Sequence, residues 1–309
     1  EDVRRKVLSA IKNSNYIPNN SARDLVRTKS DAVGLVVRGV SNPFYTDIIR
    51  AIERTITDAG FTMVMQQIGT CDDEVKCGAV MEREKRLQGI VFLGGRFDYT
   101  PADLAMLNVP FVCCSYSNRY GTLIEGEYSS VSIADGDTAQ QAVEELYRHG
   151  HRRIAALISR PNDQSISQLR YEGYVQALES HGIPVDPELV ISTGGFSAKD
   201  AYRAVQEKMA ENVDFTALFA IADSMAIGAM RALMDAGRRI PEDCSVIAID
   251  GLELSAYIEP PLTTLCQPME EIGRRSAEIL LDMVQHKGSH ACELLPTTLR
   301  QGRSVAAPR

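Results

Sequence analysis

Few side chains in this 309-residue chain stand where catalysis would demand them. Five histidines are scattered along it, and His149, His151 and His181 sit at helix-ending turns beside Gly150 and Gly182, where a polar or cationic helix terminus accounts for them. His286 and His290 fall near the carboxyl-terminal loop. There is no His-Glu-x-x-His pair, and Gly94-Gly95 belongs to neither a GxGxxG nor a GxxxxGK[ST] phosphate loop. With no nucleophile placed beside a base, no enzyme activity, catalytic set, metal site or cofactor is expected. The seven cysteines lack CxxC and zinc-ligand spacing. Cys113 and Cys114 fall in one strand-like run and point to opposite faces of it. They read as free core thiols, which suit a reducing cytoplasm.

Chemistry of another kind is concentrated at the start. Residues 1–30 carry seven Lys/Arg against three Asp/Glu, a charge of +4; the other 279 carry 26 against 38, a charge of −12. The overall −8 therefore conceals a basic segment on an acidic body. Within it Leu25 is flanked by Arg23, Arg27 and Lys29, an apolar wedge among phosphate-seeking cations. An exposed linker whose Leu25 packs on the body fits the same residues. Further along, Asp223 follows one strand and opens a helix, so it either meets a ligand or caps that helix. Arg96 and Asp98 either add polarity at a cleft mouth or are solvated loop charges.

The elements that must position these residues alternate from residue 31 onward. Strands are expected at 32–37, 61–65, 90–93, 110–114 and 131–133, then at 154–158, 189–192, 217–221 and 245–249. Helices are expected at 44–59, 72–87, 138–149, 168–180, 198–210 and 224–236. In the first helix Ile48, Ile49, Ile52 and Ile56 share a face, with Gly60 at its end. Uninterrupted apolar strands between amphipathic helices predict two doubly wound α/β units with parallel sheets. Ligands bind outside the carboxyl ends of such strands, so the site is expected in a cleft between the units. No apolar run approaches the ~20 residues of a membrane span, and no export signal is visible. The first residue is Glu1, so a fragment or processed chain is expected.

Six motifs in order carry a resemblance over essentially the whole chain. They are Tyr16-x-Pro18-Asn19-x-x-Ala22-x-x-Leu25, Ser41-Asn42-Pro43-Phe44, Gly150-His151-Arg152-Arg153-Ile154, Val246-Ile247-Ala248-Ile249-Asp250, Pro261-Leu262-Thr263-Thr264 and Gln267-Pro268. Together they resemble the lactose/galactose-repressor (LacI/GalR) family of transcriptional regulators. The resemblance implies a type I periplasmic-binding-protein-like fold, two subdomains joined by a three-strand hinge. It divides the chain into a headpiece remnant and hinge helix (1–30), a first subdomain (31–132 plus 268–288) and a second (133–267 plus 289–309). The three crossings fall near Ile133, Gln267 and Ser289.

The resemblance also implies function: a cytoplasmic, homodimeric regulator, most often a repressor, with no membrane partner. Tyr16, Asn19, Ala22, Arg23 and Leu25 match a hinge helix that enters the minor groove of operator DNA, Leu25 as its wedge. Residues 1–12 match only the last headpiece helix, so weak or no operator binding is expected of this sequence and tight binding of an intact protein. For the effector, a sugar or sugar derivative, the family pattern points to Phe44, Tyr45 and Phe196 for stacking. It points to Arg170 and Asp250 for hydroxyls, and to Asp223, Ser115 and Gln267 as further contacts. The helix at 44–59 and the segment at 73–87 would form part of the dimer face. Ala222 and Ala134 depart from the family's usual asparagine and aspartate. A periplasmic sugar-binding protein shares the cleft architecture and is the alternative.

Overall fold

Two six-stranded sheets, each wrapped by helices, make up a computed structural model of the chain, which describes residues 30–39, 43–124 and 126–309. The hinge positions Tyr16, Asn19, Ala22, Arg23 and Leu25, and the pair Ser41-Asn42, lie outside the described residues.

In the first sheet the order is β11-β5-β4-β3-β1-β2, and all the pairings are parallel. Its members are β1 (Ala32–Arg38), β2 (Thr62–Ile68), β3 (Ile90–Leu93), β4 (Phe111–Cys114), β5 (Ser129–Ile133) and β11 (Cys292–Leu295). Period-two alternation sorts side chains to the two faces. Val33, Leu35 and Val37 meet α1 (Tyr45–Asp58), whereas Ala32 and Val36 face α2 (Glu74–Lys85). Cys114 joins the first of these clusters and Cys113 the second, so the adjacent thiols do point to opposite faces. Cys71 and Cys292 are exposed, a departure from cysteines packed wholly in the core. On α1 the apolar stripe Ile48, Ile52 and Ile56 is fully buried and Ile49 half-buried.

The second sheet runs β12-β10-β9-β8-β6-β7. It contains β6 (Ile154–Ile158), β7 (Val190–Ser192), β8 (Ala217–Ala220), β9 (Ser245–Asp250), β10 (Thr263–Cys266) and β12 (Thr298–Arg300). A short α3 (Pro101–Leu104) belongs to the first unit; α4 (Asp135–Arg148), α5 (Ile166–Ser180), α6 (Ala198–Ala210) and α7 (Asp223–Asp235) serve the second. The long α8 (Met269–His286) returns to pack on α1, β3, β4 and β5.

The third crossing lies further along than the family tracing places it. Cys292–Leu295 pair in parallel with β5, so the chain stays with the first sheet past Ser289 and crosses at Pro296-Thr297. Beyond it, β12 pairs antiparallel with β10. The edge strand β11 is missed by a search for continuous apolar runs because its exposure alternates: Cys292 and Leu294 face out, Glu293 and Leu295 are half-buried.

Candidate functional site

Each sheet has one point where the crossover helices change face, and there a crevice opens at the strand carboxyl ends. In the first sheet that point lies between β1 and β3, which are neighbours although β2 comes between them in sequence. In the second it lies between β6 and β8.

Arg170, on α5, spans the second crevice with 2% of its surface exposed. Its Nε donates to Asp135 Oδ1 at 2.9 Å, and Nη1 donates to the Ile221 carbonyl and reaches Asp250 Oδ1 at 3.4 Å. Nη2 is buried without a hydrogen-bond partner. Asp250 ends β9 with φ at 137°, a backbone strain held by the Gln267 N–H that donates to its carbonyl at 3.0 Å. Its Oδ1 also accepts from Gln267 Nε2 at 2.9 Å. Burial pushes the Asp250 carboxyl up to about 7, opposed by Arg170 and reinforced by Asp223. Asp135 is likewise raised by burial and held down by Arg170. Phe196 is half-buried in the loop leading into α6, its carbonyl accepting from Ser224 Oγ at 2.9 Å.

The first crevice is lined by Tyr45, which opens α1, and by the tip of β3. A Cβ on Gly94 would stand 2.5 Å from the Tyr45 hydroxyl and 3.3 Å from the Arg38 carbonyl, and Gly94 has φ at +69°. Only glycine gives the chain that turn and that approach. Burial pushes the Tyr45 hydroxyl up to about 12, with Cys114 and Asp250 adding and Arg38 and Arg170 opposing. The hydroxyl therefore feels charges from both sheets. Phe44 is buried and tilts against Tyr45, ring centroids 5.8 Å apart. Ser115 follows β4 with φ at 66°, and its N–H donates to the Val131 carbonyl at 2.8 Å.

Of the eight effector positions expected from the sequence, Arg170, Asp250 and Gln267 form one hydrogen-bonded group, and Tyr45 lies within its electrostatic reach. Asp223 is engaged within its own unit: its fully buried carboxylate accepts from the Leu252 N–H at 2.8 Å and Ser255 Oγ at 2.7 Å through Oδ2 and from Thr264 Oγ1 at 2.5 Å through Oδ1, and it makes no capping bond to α7. Arg96 turns back on its own loop, 3.3 Å from both Asp98 and Asp103.

Several site residues escaped the sequence reading. Asp135 is one, although its place directly after Ala134, where the usual aspartate is missing, was the available signal. Glu74 is another: it is fully buried at the start of α2, accepts from the Arg96 N–H at 2.8 Å and from the Tyr99 hydroxyl, and lies 3.6 Å from Arg38 Nε. Tyr99 and Tyr116 meet behind Gly95, their hydroxyls 3.2 Å apart. Glutamate within an exposed-looking Asp-Asp-Glu run gives no hint of burial. The units also touch beside the crevice, where the Tyr120 hydroxyl donates to Glu172 at 3.4 Å and Ile166 and Leu169 pack on the apolar cluster of the first sheet.

A family model of a periplasmic binding protein-like domain matches residues 143–305. The HTH-type transcriptional regulator MalR of Clostridium butyricum is 37% identical over 303 residues, covering 97% of this chain and 89% of the relative. The structure of the transcriptional regulator CelR–cellobiose complex superposes with a TM-score of 0.79 at 31% identity, over 98% of this chain and 90% of that one. The chain belongs to the LacI family of transcriptional regulators.

Within that family the lac repressor dimer bound to operator and the anti-inducer ONPF superposes with a TM-score of 0.80 at 25% identity, over 94% of this chain and all of that one. Relatives of this kind are regulators of transcription, which disfavours the transport-receptor alternative and gives no support to an enzyme. Among the described residues no helix is long and apolar enough to cross a membrane. In LacI-family terms Ala134 and Ala222 stand at the N-caps of α4 and α7, and neither makes a side-chain capping bond.

Proposed function

We propose that this LacI-family protein is a cytoplasmic repressor whose cleft, between the Tyr45 wall and the Arg170 wall, takes a sugar or sugar derivative. The observation that carries the reading is Arg170, a buried guanidinium fixed by Asp135, Asp250 and the Ile221 carbonyl with one nitrogen left over. A planar fork held on one side and free on the other suits oriented hydrogen bonding to a ligand. Tyr45, Phe44 and Phe196 supply ring faces, and Gln267 and Asp250 a polar floor; Ser115 is a further contact.

Residues 31–132 with 268–295 would act as one jaw and 133–267 with 296–309 as the other. Three connections between them favour a small rotation over a wide opening. Ligand would shift the population of jaw angles and, through a homodimer, the order of the hinge helices around Leu25 on operator DNA. Exposed Leu254 and Tyr257, 62% and 78% accessible, join Met65 and Val80 as apolar surface suited to a partner subunit. The apolar stripe of α1 is spent within its own core, so any part of α1 in the dimer face would be polar.

Thermal-shift screening against neutral sugars, polyols and nucleosides tests the reading. A true ligand at several hundredfold its dissociation constant should stabilise by about 3–4 kcal/mol. Arg170→Lys keeps the charge and loses the fork, and it should erase that shift while leaving the ligand-free melting temperature within a few degrees. An undiminished shift would place the ligand elsewhere.

A further inference from the structure

The charge that the ligand can carry is written in the walls of the cleft, an inference that rests on the cleft being the ligand site. On the second-sheet wall Arg170 faces two buried carboxylates, Asp135 at 2.9 Å and Asp250 at 3.4 Å. Those two carboxylates outnumber the single guanidinium, and burial raises both of them while Arg170 opposes it. On the first-sheet wall Arg38 Nε stands 3.6 Å from Glu74 Oε2. The Tyr45 hydroxyl feels the charges of Arg38, Arg170 and Asp250 together.

Arg170 Nη2 is buried without a hydrogen-bond partner, whereas Arg38 Nε and Glu74 Oε2, which also lack one, are paired by charge with each other. A neutral hydroxyl can accept from Arg170 Nη2 and donate to a neighbouring carboxylate at once. A phosphate ester offers only acceptors and brings as much as two negative charges, into a place where three carboxylates face two guanidinium groups. Nor does the turn after β3 form an anion cradle. The Gly94 N–H donates to the Cys114 carbonyl at 3.2 Å and the Arg96 N–H to Glu74 at 2.8 Å.

We propose that the cleft selects an uncharged, hydroxyl-rich ligand, a free sugar or polyol, and rejects the phosphate ester of the same compound. Isothermal titration calorimetry on the full chain at pH 7.5 tests this with matched pairs: ribose and ribose 5-phosphate, glucose and glucose 6-phosphate, with cellobiose and sorbitol as further neutral probes. A neutral compound should bind, and its phosphate ester should bind on the order of a hundredfold more weakly or not at all. Asp250→Asn should narrow that gap on the order of tenfold by removing one like charge. Should that variant fail to fold, Glu74→Gln on the opposite wall gives the same readout. A phosphate ester that binds as tightly as its parent overturns the selectivity. Failure of every probe overturns the carbohydrate reading of the cleft instead.

Discussion

At the scale of single residues, the site is a contest between burial and charge. Asp250 shows the contest most directly, because burial holds its carboxyl near 7 despite Arg170 beside it. In the unfolded chain the same group titrates near ~4. Between those values the unfolded state has released a proton that the folded state keeps, so this group's contribution to stability falls as pH rises from about 4 to about 7 and is flat above. The melting temperature of the wild type relative to Asp250→Asn should therefore decline across that interval and level off beyond it. A difference that grows with pH would refute the assignment. Asp223 teaches the opposite lesson. In sequence it is either a ligand contact or a helix cap, and its oxygens accept instead from Leu252, Ser255 and Thr264. Sequence places a carboxylate after a strand and cannot report which donors converge on it.

At the scale of elements, helices meet so closely that side chains are excluded at the contact. On α5, Gly173 faces Gly136 of α4, and a Cβ added there would overlap the Gly136 carbonyl. Gly173→Ala should cost about 1–3 kcal/mol by forcing the pair apart, read as a lower denaturation midpoint with an unchanged denaturant slope. The same displacement would move Arg170, three residues earlier on α5. The N-cap of α7 offers a test of the other sign. Ala222 has the extended backbone of a capping residue and no side chain to cap with, so Ala222→Ser should stabilise by ~1 kcal/mol. A destabilised variant would mean that the buried hydroxyl finds no donor. Elements such as β1, β3, β6 and α6 were legible in the sequence because their apolar periods are unbroken. The terminal strands were not: β11 is a half-exposed edge whose alternation hides it, and β12 has only three residues.

At the scale of the whole molecule, two crevices face each other and a few contacts beside them hold the units together. Motifs spread along the sequence were enough to identify the fold and the family, and some of them, such as residues 150–154 and Gln267-Pro268, fall at strand ends. The acid–base wiring between the walls was not legible, since Glu74, Asp135 and Arg38 come from elements far apart in the chain. Contact between the units at Tyr120 and Glu172 belongs to this scale. Tyr120→Phe should shift the jaw equilibrium modestly, visible as a change of about 0.5–1.5 kcal/mol in ligand affinity without loss of binding. Homodimerisation through the exposed apolar residues predicts that sedimentation at micromolar concentration finds a dimer, and a monomer throughout would exclude it. The most direct test of the central claim is a crystal structure with a neutral sugar selected by calorimetry. That sugar is expected between Tyr45 and Arg170, with hydroxyls bonded to Arg170 Nη2 and Asp250. A sugar bound anywhere else, with Arg170 Nη2 still unpartnered, would contradict it.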